Sequence, residues 1–191
     1  MKSFIIILLM TMSYSLCISQ NKNESIEIIY NVIKETQDTN HRYYEDSILT
    51  DYTYNEIHKS LTKRKYSSSL KPNDTKTFQL SRKELRYILA QLNLQRTNIW
   101  DANLFSNSEI IQADSAWAVL NKIRKSQHLP APTSTKRIWK FIKPIVYRNG
   151  TCTLVYYLNF CGNTCGPEEI AFYTRKGNDW EKIVRVRAAV F

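Results

Sequence analysis

Apolar and polar positions alternate with two different rhythms along this chain, helical in the first part and strand-like in the last. Over residues 24–36, Ile26, Ile29, Tyr30 and Ile33 recur at three- and four-residue spacing, which predicts a helix with one buried face. Asn40 to Tyr54 is polar and tyrosine-rich (Tyr43, Tyr44, Tyr52, Tyr54) and predicts no definite element. Asn55 to Arg64 reads as a short helix through Ile57 and Leu61. Lys65 to Lys76, with its serine run and Pro72, reads as an exposed loop. Ser81-Arg82-Lys83-Glu84 is a capping box, in which the serine hydroxyl and the glutamate carboxylate each accept from the other residue's amide. Leu85, Ile88, Leu89 and Leu92 follow in helical phase and predict a helix over 82–93. Asp114 caps a further helix with Trp117, Leu120 and Ile123, or Ala116, Val119 and Ile123, on its inner face. Trp100, between these two helices, is expected in the core or at its rim.

After residue 135 the period changes to two. Ile138 to Ile142 predicts a strand, and Pro144 an edge or bulge, because proline cannot donate to a ladder. Asn149-Gly150 predicts a hairpin turn, since both residues accept positive φ. The strand that follows puts Cys152, Leu154, Tyr156, Leu158 and Phe160 on one face and Thr153, Val155, Tyr157 and Asn159 on the other. Both faces are largely covered, so the strand is central. Ile170 to Thr174 is the next strand, and Lys176-Gly177-Asn178-Asp179 turns into the last. There Trp180, Lys182, Val184 and Val186 alternate with Glu181, Ile183, Arg185 and Arg187. The pattern predicts an α+β fold, N-terminal helices packed on a C-terminal antiparallel meander of about four strands.

The positions of glycine and proline agree with that division. All four glycines lie after residue 149 and four of the five prolines after residue 129. His128 to Thr135, with Pro130 and Pro132, is the joint. At the other end, Lys2 precedes an apolar run from Phe4 to Met12, and smaller residues follow to Ser19. This is the layout of a signal peptide cut after Ser19, and the run is short for a bilayer span. The expected organisation is residues 1–19 as leader and 20–191 as a single domain, with a helical part (20–127), the joint (128–135) and the meander (136–191). The expected location is the periplasm, the cell envelope or the extracellular space. Association with a membrane is expected only if the leader is retained or Cys17 is lipidated. Leu16 stands where the lipoprotein signal prefers a small residue.

A formal charge of +10 favours attraction to anionic surfaces. The basic residues are scattered, as in Lys63-Arg64-Lys65 and Arg185/Arg187, and no arginine run or recognition motif occurs. No specific nucleic-acid partner is therefore expected.

Beyond the leader three cysteines remain, Cys152, Cys161 and Cys165, and export would place them where disulfides persist. An odd count leaves one unpaired. Three residues separate Cys161 from Cys165, where the redox motif requires two, so a structural disulfide between them is the preferred reading. Gly162 and Gly166 allow the backbone angles of so small a ring, worth about 2 kcal/mol or less. Cys152 and Cys161 lie on one strand and would stand roughly 30 Å apart, beyond bonding reach. Cys152 is expected as a free buried thiol; pairing with Cys165 would require the loop to fold far back.

Catalytic signals are sparse. His41, His58 and His128 have no helical i, i+4 spacing, and no metal or cofactor site is expected. Glu168 and Glu169 are neighbours on a strand, so they point to opposite faces and read as a solvated loop edge rather than a dyad. No phosphate loop, nucleophile elbow or zinc-protease motif is present, and no catalytic residue is expected. The tyrosine cluster offers a binding surface, or reflects the same compositional bias as the asparagine, lysine and isoleucine content.

Lys143-Pro144-Ile145, Cys152-Thr153-Leu154-Val155-Tyr156-Tyr157, Cys161-Gly162, Cys165-Gly166 and Trp180 together resemble a C-terminal pattern. It is that of small exported or lipid-anchored envelope proteins of Gram-negative bacteria without an assigned activity. Those proteins show a proline-containing strand, an aromatic strand, a CG-x-x-CG-like loop and a K-x-G-x-W hairpin. Here Pro167-Glu168 replaces a further glycine, and the chain ends Ala188-Ala189-Val190-Phe191 without the late tryptophan. The resemblance implies export and a shared fold and supplies no catalytic residue. Two functions follow as expectations. One is a non-catalytic module that binds an envelope component or a protein. The other is a small secreted hydrolase with its site in the helix–sheet cleft.

Overall fold

The computed structural model describes residues 24–32, 42–46, 48–71, 74–100, 108–112, 115, 118, 138–160 and 167–190. They belong to two compact units, the first ending at Asp38 and the second running from Thr39 to Phe191. In the first unit residues 24–32 form helix α1, whose buried side chains are Ile28, Ile29 and Val32. Ile26 and Tyr30, expected on the inner face, are only half-buried.

The second unit is built on a seven-stranded mixed sheet. Its order is β4 (Ser108–Ile111), β1 (Arg42–Glu45), β5 (Ile138–Phe141), β7 (Cys152–Phe160), β8 (Pro167–Lys176) and β9 (Asp179–Val190), with β6 (Ile145–Tyr147) also on β7. The pairs from β5 to β9 are antiparallel, whereas β1 pairs in parallel with both β4 and β5. The expected four-stranded meander is therefore the core of a larger sheet. The supposedly helical first part contributes two of its strands. It also contributes a two-stranded hairpin, β2 (Lys65–Lys71) with β3 (Asp74–Gln79), where a loop was expected.

β7 is the central strand, and every side chain from Cys152 to Asn159 is buried. Its neighbour on one side is interrupted, as Pro144 requires. β5 pairs with the second half of β7 and β6 with the first. The break is closed by a side chain: Gln95 Nε2 donates to the Lys143 carbonyl at 2.9 Å, and the Lys143 amide donates to Gln95 Oε1 at 2.8 Å. This buried amide reproduces the two bonds of a missing strand partner. The turn into β7 carries Arg148, Asn149 and Gly150 at φ of 52°, 53° and 82°, so the left-handed stretch starts one residue before Asn149-Gly150.

β9 departs from simple alternation. Its register against β8 shifts between Ile170 and Ala171 and again between Phe172 and Tyr173, leaving Val186 and Ile183 without opposing residues. Opposed residues share a face of the sheet, so Lys182 and Arg185 point one way and Val184 and Arg187 the other. The uninterrupted alternation expected for this strand fails at these two bulges.

Helices α2 (Asp51–Leu61) and α3 (Arg82–Leu94) lie on one side of the sheet together with the hairpin. There Phe172 stacks against Tyr66 and Phe78 at ring separations of 5.5 and 4.7 Å. Ile57, Leu61, Leu80, Ile88 and Leu92 are buried with them. On the opposite side Trp139, Phe141, Tyr157 and Tyr173 are buried. The capping box forms in full at the start of α3: the Ser81 amide donates to Glu84 Oε2 at 2.7 Å and the Glu84 amide to Ser81 Oγ at 3.1 Å. Trp100 is buried and donates from Nε1 to the Phe141 carbonyl. Of the helix expected after Asp114 only Ser115 and Ala118 are described, both helical. The joint at 128–135 lies outside the described residues. No helix among the described residues is long and apolar enough to cross a membrane.

Candidate functional site

Charged and polar groups gather under α2 from five strands. Glu45 of β1 and Lys140 of β5 form a buried ion pair, Nζ to Oε1 at 3.3 Å, with side chains only 8% and 6% exposed. Tyr156 of β7 donates from its hydroxyl to Glu168 Oε1 of β8 at 3.3 Å. Arg187 of β9 stands 3.6 Å from Glu168 Oε2 and also pairs with Glu56 of α2. Thr53, one helical turn before Glu56, faces the same way and bonds to Tyr156. The backbone places these groups together by simple geometry. Glu168, Tyr156 and Arg187 are on the helix side by strand alternation and by the β9 bulges, and Thr53 and Glu56 follow at i, i+3 spacing.

The electrostatics of this cluster are set by dehydration. Burial pushes the Glu168 carboxyl above the usual carboxylate range, and the hydrogen bond from Tyr156 only partly offsets it. Burial likewise raises Tyr156, and the neighbouring Glu168 charge raises it further. Among the described residues Glu168 Oε2 has no hydrogen-bond partner.

A second cluster occupies the other side of the sheet. Glu169 is buried; Arg185 Nε donates to its Oε2 at 2.6 Å and Lys182 Nζ lies 2.7 Å from its Oε1. Glu168 and Glu169 thus point to opposite faces, as strand geometry dictates, but they are not a solvated edge. At 2% and 3% exposure they are held inside β8, each with its own cations. The expectation fails because β8 begins at Pro167, earlier than the apolar run suggested, and takes both glutamates into the sheet.

Cys152 is a free, buried thiol beside Arg148, whose Nη1 is 4.0 Å from Sγ. Cys161 and Cys165 lie outside the described residues, as do His41 and His128. His58 on α2 faces the Tyr54 ring at 5.9 Å. No group of three metal-ligating side chains converges among the described residues. The tyrosine cluster does not form one surface: Tyr44 is buried, Tyr54 lies beneath the Arg96 guanidinium and Tyr52 is exposed.

One surface was missed by the pattern along the chain. α3 buries Ile88 and Leu92 but exposes Tyr87 and Leu94, and Ile99 stands out just beyond it, these three at 46%, 64% and 68% exposure. Arg82, Lys83 and Arg86 are exposed beside them and form no ion pair among the described residues. The signal lay in the residues opposite the Leu85/Ile88/Leu89/Leu92 stripe, where a surface helix would ordinarily be polar. Comparisons with protein-family models, with curated proteins and with solved structures found no match to the chain.

Proposed function

We propose that this protein is a non-catalytic exported binding module whose contact surface is the outer face of α3 with Ile99, and whose partner is a component of the cell envelope. The observation that carries the reading is the exposure of Tyr87 and Leu94 on a helix that buries Ile88 and Leu92, with Ile99 exposed just beyond its end. Large apolar side chains exposed together mark contact sites in soluble folds. The ionisable groups under α2 favour the same reading, because Glu45 is paired with Lys140 and Glu56 with Arg187. Export rests on the leader-like segment at residues 1–19.

The test is retention of the full chain on native envelope material, compared with Leu94→Ser/Ile99→Ser. Loss of retention at unchanged melting temperature is the expected result. Equal retention would refute the assignment of the surface.

One observation favours a second reading, hydrolysis. Glu168 is a carboxyl raised by burial and hydrogen-bonded to a tyrosine, with Oε2 facing Arg187 but accepting no hydrogen bond among the described residues, which are attributes of a general acid. Hydrolytic activity abolished by Glu168→Gln would establish that reading. A blank activity screen of the purified protein would end it.

A further inference from the structure

We propose that the partner of the α3 face is an anionic lipid surface, an inference that rests on the binding reading above. At 100° per residue, Lys83, Tyr87, Ala90 and Leu94 fall on one line along the helix, and Arg82, Arg86 and Asn93 fall on the adjacent one. All seven are exposed, and together they cover roughly 140° of the circumference. Leu94 thus projects beside three cations with no acidic side chain between them, and the half-exposed Tyr87 ring, whose hydroxyl donates to the Val146 carbonyl, lies along the same line. Clustered cations with an exposed apolar side chain among them suit the headgroup zone of an anionic lipid surface.

The charges run against the helix's own stability. Arg82 and Lys83 occupy the first turn, where the macrodipole favours acids, and the last turn holds no basic residue. Glu84 is the only acid of α3, and it is turned to the Ser81 amide and to Arg148. A local choice that does not serve the helix is expected to serve something outside it. Ile99 is rigidly presented: the Trp100 amide after it donates to Asp46 O, and the Asn98 carbonyl before it accepts from the Ile48 amide.

The occupant follows from size and charge. Leu94, Ile99 and the exposed part of the Tyr87 ring are far short of the roughly 800 Å² per partner that a stable protein interface buries. A lipid surface needs no such area, because it adds the attraction of every nearby cation, and the chain carries a formal charge of +10. This contact would not depend on residues 1–19 or on Cys17.

The test is co-sedimentation of the full chain with phosphatidylcholine vesicles, with and without phosphatidylglycerol, at low and high salt. Every arm keeps residues 1–19, so their contribution is common to all. Binding is expected on the anionic vesicles and released by salt. Arg82→Gln/Lys83→Gln/Arg86→Gln should weaken it about fivefold per cation, roughly a hundredfold in all. Leu94→Ser/Ile99→Ser should weaken it too, with both variants melting as the parent does. Equal binding to both vesicle types, or no loss in either variant, overturns the proposal. So does an absence of binding. A photo-crosslinking residue at Leu94, applied in native envelope material, then separates the two levels. Crosslinking to a protein without vesicle binding removes the lipid and keeps the binding surface; neither result removes both.

Discussion

Glu84 ties the start of α3 to the turn before β7, and replacing it by glutamine removes that tie while keeping the helix cap. Its carboxylate accepts from Arg148 Nε at 2.6 Å, and Arg148 also donates to the Gln79 carbonyl and lies over the Phe78 ring at 4.7 Å. The hydrogen bond from Arg148 is the main reason that the Glu84 carboxyl is lowered from 4.5 to about 2. Glu84→Gln keeps one acceptor for the Ser81 amide, so the cap survives while the charge and the hydrogen bond from Arg148 Nε are lost. At about 1.4 kcal/mol per unit the shift would correspond to about 3 kcal/mol. Arg148 is 36% exposed, so solvent screening reduces the expected loss to about 1–2 kcal/mol at neutral pH. A carboxyl lowered by folding stabilises above its unfolded value, and that contribution disappears as pH falls through the folded one. Between 4.5 and about 2 the parent must therefore lose what the variant never had. Urea denaturation of both proteins at neutral pH and at about pH 3 should show the gap shrinking by more than half. A gap that is independent of pH would refute the reasoning.

Other outcomes follow from groups described above. Lys140→Met removes a buried ion-pair partner of Glu45 and should cost about 3–5 kcal/mol, whereas Glu45→Leu/Lys140→Met should recover much of that loss in the same denaturation assay. Burial raises Tyr66 from 10.0 to about 12, so the fold loses stability as pH rises from the unfolded toward the folded value. Tyrosinate absorbance should then appear for this ring only as the chain unfolds. Mass analysis of the non-reduced, digested protein should link Cys161 to Cys165, and Cys152 should react with alkylating reagent only after unfolding; a linkage to Cys152 would refute the pairing.

The second half of the chain was legible because its punctuation and its period agree. Asn149-Gly150 and Lys176-Gly177 mark the turns between its strands, and the two apolar faces of β7 announced a central strand. β1 and β4 have four residues each, too short for any period to declare itself, and their parallel pairing depends on β5, far away in sequence. In the hairpin, Tyr66 and Leu70 are separated by three serines and Phe78 is the lone apolar residue of β3, so the segment looked like a loop. The capping box at Ser81 was readable because its bonds span three residues. The cluster under α2 was not: Glu45, Lys140, Tyr156, Glu168 and Arg187 are polar positions on separate strands, and nothing in their local surroundings signals burial.

The bulges in β9 separate two properties that a regular strand would couple. Ile183 and Val186 have no residue opposite them, so deleting either one leaves Lys182, Arg185 and Arg187 facing the same glutamates. What changes is the coiling of the strand, since an inserted residue adds local twist. β2 and β3 pack against β9, so the fit of the hairpin would shift while the charge pairing stayed in place. Chain length at these two positions thus adjusts the curvature of the sheet independently of its electrostatics, and related chains could shorten this strand without exchanging a single ion pair.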